Sequence, residues 1–233
     1  MANNEFRSES AVNYEQKCLC VLVLDVSGSM GGTPIDELNK GLQDFYKEIA
    51  DDETTSQRLE VSLITFNHEV KTVQEPALVE NFTMPTLTVS GSTAMVDAVN
   101  TAIDKVQARK AWYKSTNQPY YRPWIILITD GEPDKGQDVD GLARRINADM
   151  ADTDKGKKYA FLPIGVEGAN MAVLSSIAGT IKGKKMGPMM LKGTNFKSFF
   201  QWLSASMGTI VSSEEGQTVS MADPSDWMKS FTI

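Results

Sequence analysis

Asp25-Val26-Ser27-Gly28-Ser29 sets one carboxylate and two hydroxyls at alternate positions within five residues. Clustered oxygen donors of this kind suit a hard cation such as Mg²⁺. The segment directly follows Cys18-Leu19-Cys20-Val21-Leu22-Val23-Leu24, which is apolar throughout. It therefore reads as a loop leaving a strand buried on both faces. In an open parallel sheet the carboxyl ends of the strands are where ligands bind. Two more oxygen donors stand in comparable places. Thr93 ends Ser90-Gly91-Ser92-Thr93 and opens a helix, and Asp130 lies in Thr129-Asp130-Gly131 after the apolar run Trp124–Ile128. Any one of these residues alone reads as a turn or helix cap. All five, in order and in these contexts, read as one cation site built from three loops.

The elements that must position them alternate between apolar strand-like runs and amphipathic stretches, the pattern of an α/β domain with a mainly parallel sheet. Thr33 reads as an N-cap with Pro34 as the first helical residue, and Ile35, Leu38, Leu42, Phe45 and Ile49 follow at helical spacing. Leu59–Phe66 reads as a second strand. Asn67-His68-Glu69 turns it into Val70–Val73, an antiparallel edge hairpin whose tip places His68 away from the cation loops. A loop through Pro76 and Pro85 leads to a helix marked by Met95, Val99, Ala102, Ile103 and Val106. Residues 124–128 and 159–165 are further strands, Pro163 being awkward in the second. A short helix spans 172–178, residues 186–191 form a last edge strand, and 195–211 form a helix with Phe196, Phe199 and Phe200 in the core. Right-handed crossovers set the strands ending at Leu24 and Ile128 side by side. The expected organisation is an N-terminal arm over 1–14, one domain over 15–211 and a C-terminal tail over 212–233, whose Trp227 and Phe231 must pack on this domain or on a partner.

With 233 residues, 41% hydrophobic and 23% charged, the chain can bury a core without disulfides or structural zinc. A formal charge of −7 argues against nucleic acid and anionic membrane as partners. The opening ten residues are polar with no apolar signal core, and no apolar run is long enough to span a bilayer. Cys18 and Cys20 point to one strand face and read as small buried residues, so a reducing, cytoplasmic setting is expected. Glu132 and Asp134 read as solvated loop acids, and Lys182-Gly183-Lys184-Lys185 as a solvated loop.

Asp-x-Ser-Gly-Ser after a buried strand, a later Gly-Ser-Thr and a Thr-Asp-Gly after another strand together resemble the von Willebrand factor A domain over roughly residues 15 to 211. The resemblance implies a Rossmann-like fold with a six-stranded, mostly parallel sheet, one antiparallel edge strand and helices on both faces. It also implies that Asp25, Ser27, Ser29, Thr93 and Asp130 form a metal-ion-dependent adhesion site for Mg²⁺ or Mn²⁺, with Ca²⁺ as a third candidate. In that family the hydroxyls ligate directly and the aspartates often act through water. The under-neutralised ion then captures a Glu or Asp from a partner protein. A narrower resemblance, carried by Asp25–Met30, Ile64-Thr65-Phe66 and Ser198–Ser206, is to bacterial TerY-like proteins of tellurium resistance and stress response. It implies a protein kinase and a PP2C-type phosphatase as partners.

The competing class is an enzyme. A Ser-His-Asp hydrolase would need His68, the only histidine, and neither a Gly-x-Ser-x-Gly elbow nor a P-loop is present. A Mg²⁺-dependent phosphotransferase with Asp25 at its centre is the alternative that remains, although its usual second acid and lysine are replaced here by Ser27 and Ser29. The expected function is a non-enzymatic, metal-dependent adaptor.

Overall fold

The computed structural model describes residues 13–130, 132–151, 158–181, 184–185, 187–213 and 220–229, with backbone alone at 180, 181, 184 and 185. In chain order the elements are β1 (Cys18–Asp25), α1 (Thr33–Asp51), α2 (Glu53–Arg58), β2 (Leu59–Phe66), β3 (Val70–Leu78), α3 (Met95–Ser115), β4 (Trp124–Thr129), α4 (Val139–Ala151), β5 (Ala160–Gly165), α5 (Met171–Ile177), β6 (Thr180–Ile181), β7 (Lys184–Lys185), β8 (Met189–Leu191), α6 (Phe196–Val211) and β9 (Met228–Lys229). The main sheet runs β3-β2-β1-β4-β5-β8-β9. Its inner strands are parallel, while β3 and β9 pair antiparallel at the two edges. The α/β class and mostly parallel sheet are as expected, but among the described residues the main sheet has seven strands with both edges antiparallel, and β6 and β7 pair antiparallel apart from it.

β1 lies inside the sheet, between β2 and β4, because every one of its residues is apolar up to Asp25, and all are buried. Cys18, Cys20, Leu22 and Leu24 face a core with Leu42, Phe45, Phe199, Phe200 and Leu203 of α1 and α6. Leu19, Val21 and Val23 face a second core with Val99, Ile103 and Ile146 of α3 and α4. The period-two alternation of a strand thus feeds both layers. Gly41 lets α6 sit close to α1, since a Cβ there would lie 2.5 Å from the Phe200 ring. Cys18 and Cys20 are buried free thiols.

Several local expectations shift. The N-cap of α1 is Gly32, with φ of 79°, and Pro34 takes the second helical position. β3 continues through Pro76 to Leu78, which an edge strand tolerates. β8 pairs only with Ile164 and Gly165 of β5, so among the described residues Pro163 meets no β8 partner. α4, whose Leu142, Ile146 and Met150 are buried at four-residue spacing, was not anticipated. The tail set apart over 212–233 is partly domain. Trp227 is fully buried, with its ring 5.0 Å from Phe199 and 5.1 Å from Trp202, and β9 closes the edge of β8. Phe231, Lys182, Gly183 and residues 1–12 lie outside the described residues. No helix among the described residues is long and apolar enough to cross a membrane.

Candidate functional site

β1 and β4 are parallel neighbours in register from Cys20↔Trp124 to Leu24↔Ile128, so Asp25 and the pair Thr129-Asp130 emerge at the same sheet edge. Asp25 is fully buried. Its Oδ1 accepts from the Ser27 backbone N–H at 2.8 Å, and its Oδ2 accepts from the Thr129 hydroxyl at 2.5 Å. A short turn, Gly28–Met30, lifts Ser29 to the surface. The Ser27 and Ser29 hydroxyls lie 3.0 Å apart, and Ser29 donates to Asp130 Oδ1 at 2.8 Å. Four of the five expected residues therefore form one hydrogen-bonded chain from the buried end of β1 to the end of β4.

The fifth arrives by a different route. The loop holding Thr93 is stitched to the first loop through backbone bonds, Gly28 N–H to Gly91 O at 3.1 Å and Ser90 N–H to Val26 O at 2.9 Å. Thr93 is buried, and its own backbone is bound by the segment that follows Asp130. Gly91 adopts a φ of 71°, and a Cβ there would lie 2.2 Å from His68 Nδ1. The positive φ is the ground for glycine at this position, since the exposed His68 ring could turn aside for a Cβ. Gly28 has no positive φ, and a Cβ there would make only ordinary contact with Gly91 O at 3.6 Å, so the turn does not require glycine at that position.

Two local expectations are corrected. His68 is at the site end of the sheet, because Phe66 stands opposite Asp25 in the parallel register and the turn after β2 therefore emerges beside the Asp25 loop. Asp134 is not simply solvated. Its Oδ2 accepts from the Ser92 hydroxyl at 2.6 Å and from the Thr93 N–H at 3.1 Å. Glu132 accepts from Asn170 Nδ2 at 2.7 Å, which ties the β4 loop to the start of α5. Sequence reasoning passed over Thr129. The one signal available was a hydroxyl immediately before the second aspartate.

Burial raises the Asp25 carboxyl above its ordinary value. Hydrogen bonds from Ser27 and Thr129 oppose the shift, and Asp130 adds to it. Asp130 is also raised, first by burial, with the Ser29 hydrogen bond acting the other way. Among the described residues no lysine or arginine pairs with either aspartate. Nor does any group of three or more His, Cys, Asp or Glu come together among them. Contacts among the described residues place the Thr93 backbone beside these loops but give its hydroxyl no partner in the chain. A cation at the Asp25–Ser27–Ser29–Asp130 chain would meet two carboxylates and two hydroxyls, an all-oxygen set with no soft donor, which suits a hard divalent ion.

Residues 20–200 match the family model of the von Willebrand factor type A domain. Solved structures with the same fold include the PilB minor pilin from Streptococcus sanguinis, with 14% identity, a TM-score of 0.56, and 88% of this chain and 63% of that one covered. The vWF domain of the type V pili tip protein Mfa5 from Porphyromonas gingivalis has 11% identity and a TM-score of 0.53, covering 87% of this chain and 99% of that one. The ArnB paralog VWA2 from Sulfolobus acidocaldarius has 16% identity and a TM-score of 0.53, covering 82% of this chain and 45% of that one. The chain thus spans less than two thirds of the length of VWA2 and of the pilin. At these identities the likeness is one of fold. No curated protein matches the sequence.

Proposed function

This chain belongs to the von Willebrand factor type A domain family, whose domains commonly mediate protein–protein interaction, and from that premise we propose a module that binds a partner protein through a divalent cation held by Asp25, Ser27, Ser29, Thr93 and Asp130. The observation that supports this most is the aspartate pair: two carboxyls joined through Ser27 and Ser29, Asp25 fully buried, and no ion-pair partner for either among the described residues. An acid pair left in this state costs the fold free energy until a cation joins it.

Roles follow from position. The Ser27, Ser29 and Thr93 hydroxyls would hold the ion directly. The Asp25 and Asp130 carboxylates would back them, with Thr129 and the Ser27 N–H fixing how Asp25 is turned. When bound, the cation supplies a positive charge that two carboxylates and neutral hydroxyls leave exposed to an outside acidic side chain. Ser29 is exposed, so the open side of the cluster faces solvent, where a Glu or Asp of a partner would enter. In our reading the cluster is a capture site rather than an enzyme centre.

The finer reading is a cytoplasmic adaptor of tellurium resistance or stress signalling, with a protein kinase and a PP2C-type phosphatase as partners. It rests on the TerY-like segments alone. Affinity purification from a native host in Mg²⁺ and in EDTA, with wild type and Asp25→Asn, tests both levels. A partner recovered only by wild type in Mg²⁺ is expected, and equal recovery in all arms contradicts the proposal. Metal-dependent phosphatase or nucleotide-hydrolysis turnover that is lost in Asp25→Ala would favour the phosphotransferase alternative.

A further inference from the structure

We infer that Asp134, together with Gln137, is a positioning residue that presets Thr93 for the cation, an inference that rests on the site proposed above. The two side chains bracket the Thr93 loop from the far side of a 41-residue separation. Asp134 Oδ2 accepts from the Ser92 hydroxyl at 2.6 Å and from the Thr93 N–H at 3.1 Å. In return, the Asp134 N–H donates to the Thr93 carbonyl at 3.0 Å. Gln137 Nε2 donates to that same carbonyl at 2.6 Å, while Gln137 Oε1 accepts from the Val96 N–H at 2.6 Å. The backbone of Thr93 is therefore bound at both its donor and its acceptor. The Gln137 amide also satisfies one of the orphan N–H groups in the first turn of α3.

Neutral hydroxyls are weak ligands, so their contribution depends on being held in place before the ion arrives. The bracket supplies that order, and it separates two adjacent hydroxyls. Ser92 gives its proton to Asp134, whereas nothing in the bracket engages the Thr93 hydroxyl. Ser92 is accordingly occupied with holding the loop, and Thr93 is the residue left to face the ion. Asp134 is only four residues beyond Asp130, so the bracket also ties the Thr93 donor to the Asp130 donor.

The test is Mn²⁺ affinity by calorimetry for wild type, Asp130→Asn, Asp134→Ala and Asp134→Asn, with amide hydrogen exchange at Thr93 followed by NMR. Asparagine keeps an acceptor for the Thr93 N–H while removing the charge. Asp134→Ala is expected to weaken Mn²⁺ binding roughly tenfold, as changes to groups that orient metal ligands do, and to speed Thr93 exchange. Asp134→Asn is expected to stay within about twofold of wild type with Thr93 still protected, a rescue that loss of charge alone would not give. Equal weakening in both Asp134 variants assigns the effect to charge and overturns the positioning role. If Asp130→Asn loses the ion while Asp134→Ala keeps wild-type affinity and Thr93 protection, the site stands and the bracket's role is overturned. If Asp130→Asn binds Mn²⁺ as wild type does, the site itself is wrong and both readings fall.

Discussion

The sheet buries acidic side chains at both of its ends, and the protein treats them in opposite ways. At the amino end Glu60, the second residue of β2, stands opposite Leu19 of β1. Its carboxylate receives Arg109 Nε at 2.9 Å and Arg109 Nη2 at 2.7 Å, with the Tyr113 hydroxyl as a third donor. Nearby on α3, Lys105 pairs with Glu75 at 2.9 Å. About 20 Å away, six residues along the strands, Asp25 and Asp130 have hydroxyl and amide donors but no cationic partner among the described residues. One helix serves both ends, since Thr93 leads into α3 and Arg109 and Tyr113 lie near its finish. A buried acid with a bidentate arginine is closed to outside ions. A buried Asp25 joined through hydroxyls to a half-buried Asp130 is open to one. The contrast shows that placement of counter-charge distinguishes the structural cluster from the candidate functional one.

Removing the arginine at the closed end should have the largest effect. Arg109→Met strands a buried Glu60 and should cost about 3–5 kcal/mol in chemical denaturation, while the response to Mg²⁺ persists. At the open end the same kind of change should act in the other direction. Mg²⁺ at a hundredfold excess over its Kd should add about 2.7 kcal/mol, roughly 5–10 °C in a domain of this size, and Asp25→Asn should abolish that gain. A comparable Mg²⁺ gain in the variant would erase the distinction between the two ends.

The smallest effect is on pH dependence. Both aspartates are raised in the metal-free fold, so between their ordinary and raised values the folded chain holds protons that the unfolded chain has released. Their contribution to stability is present below the ordinary aspartate value and is lost as pH rises through the raised values. Without Mg²⁺, the stability of wild type relative to Asp25→Asn/Asp130→Asn should therefore fall across that window. The gain from Mg²⁺ should rise over the same window, because the ligands must be deprotonated. A flat difference would show that these carboxyls are not perturbed.

What the sequence disclosed about this arrangement follows from the range of the forces involved. β1, β2 and β4 were legible as apolar runs, and the run at β1 dictated an inner, doubly covered position. The alternation of Asp25, Ser27 and Ser29 was visible because all three share one loop. Thr93 and Asp130 could be attached to them once the strand order was inferred. Asp134 was misjudged because its partners lie 41 and 42 residues earlier, and nothing local distinguishes a bracketing loop acid from a solvated one. His68 was misplaced because a turn was read without asking which sheet edge it leaves. β9 was invisible because it has only two residues, and its anchor, Trp227, finds its place only when Phe199 and Trp202 are already in theirs.

The account turns on whether the open acid pair takes an ion. Counting bound Mn²⁺ by electron paramagnetic resonance, in wild type and in Asp25→Asn/Asp130→Asn, tests this most directly. The expected result is one ion per wild-type chain, displaced by Mg²⁺, and none in the double variant. Equal binding in both chains, or none in wild type at millimolar Mn²⁺, would contradict it.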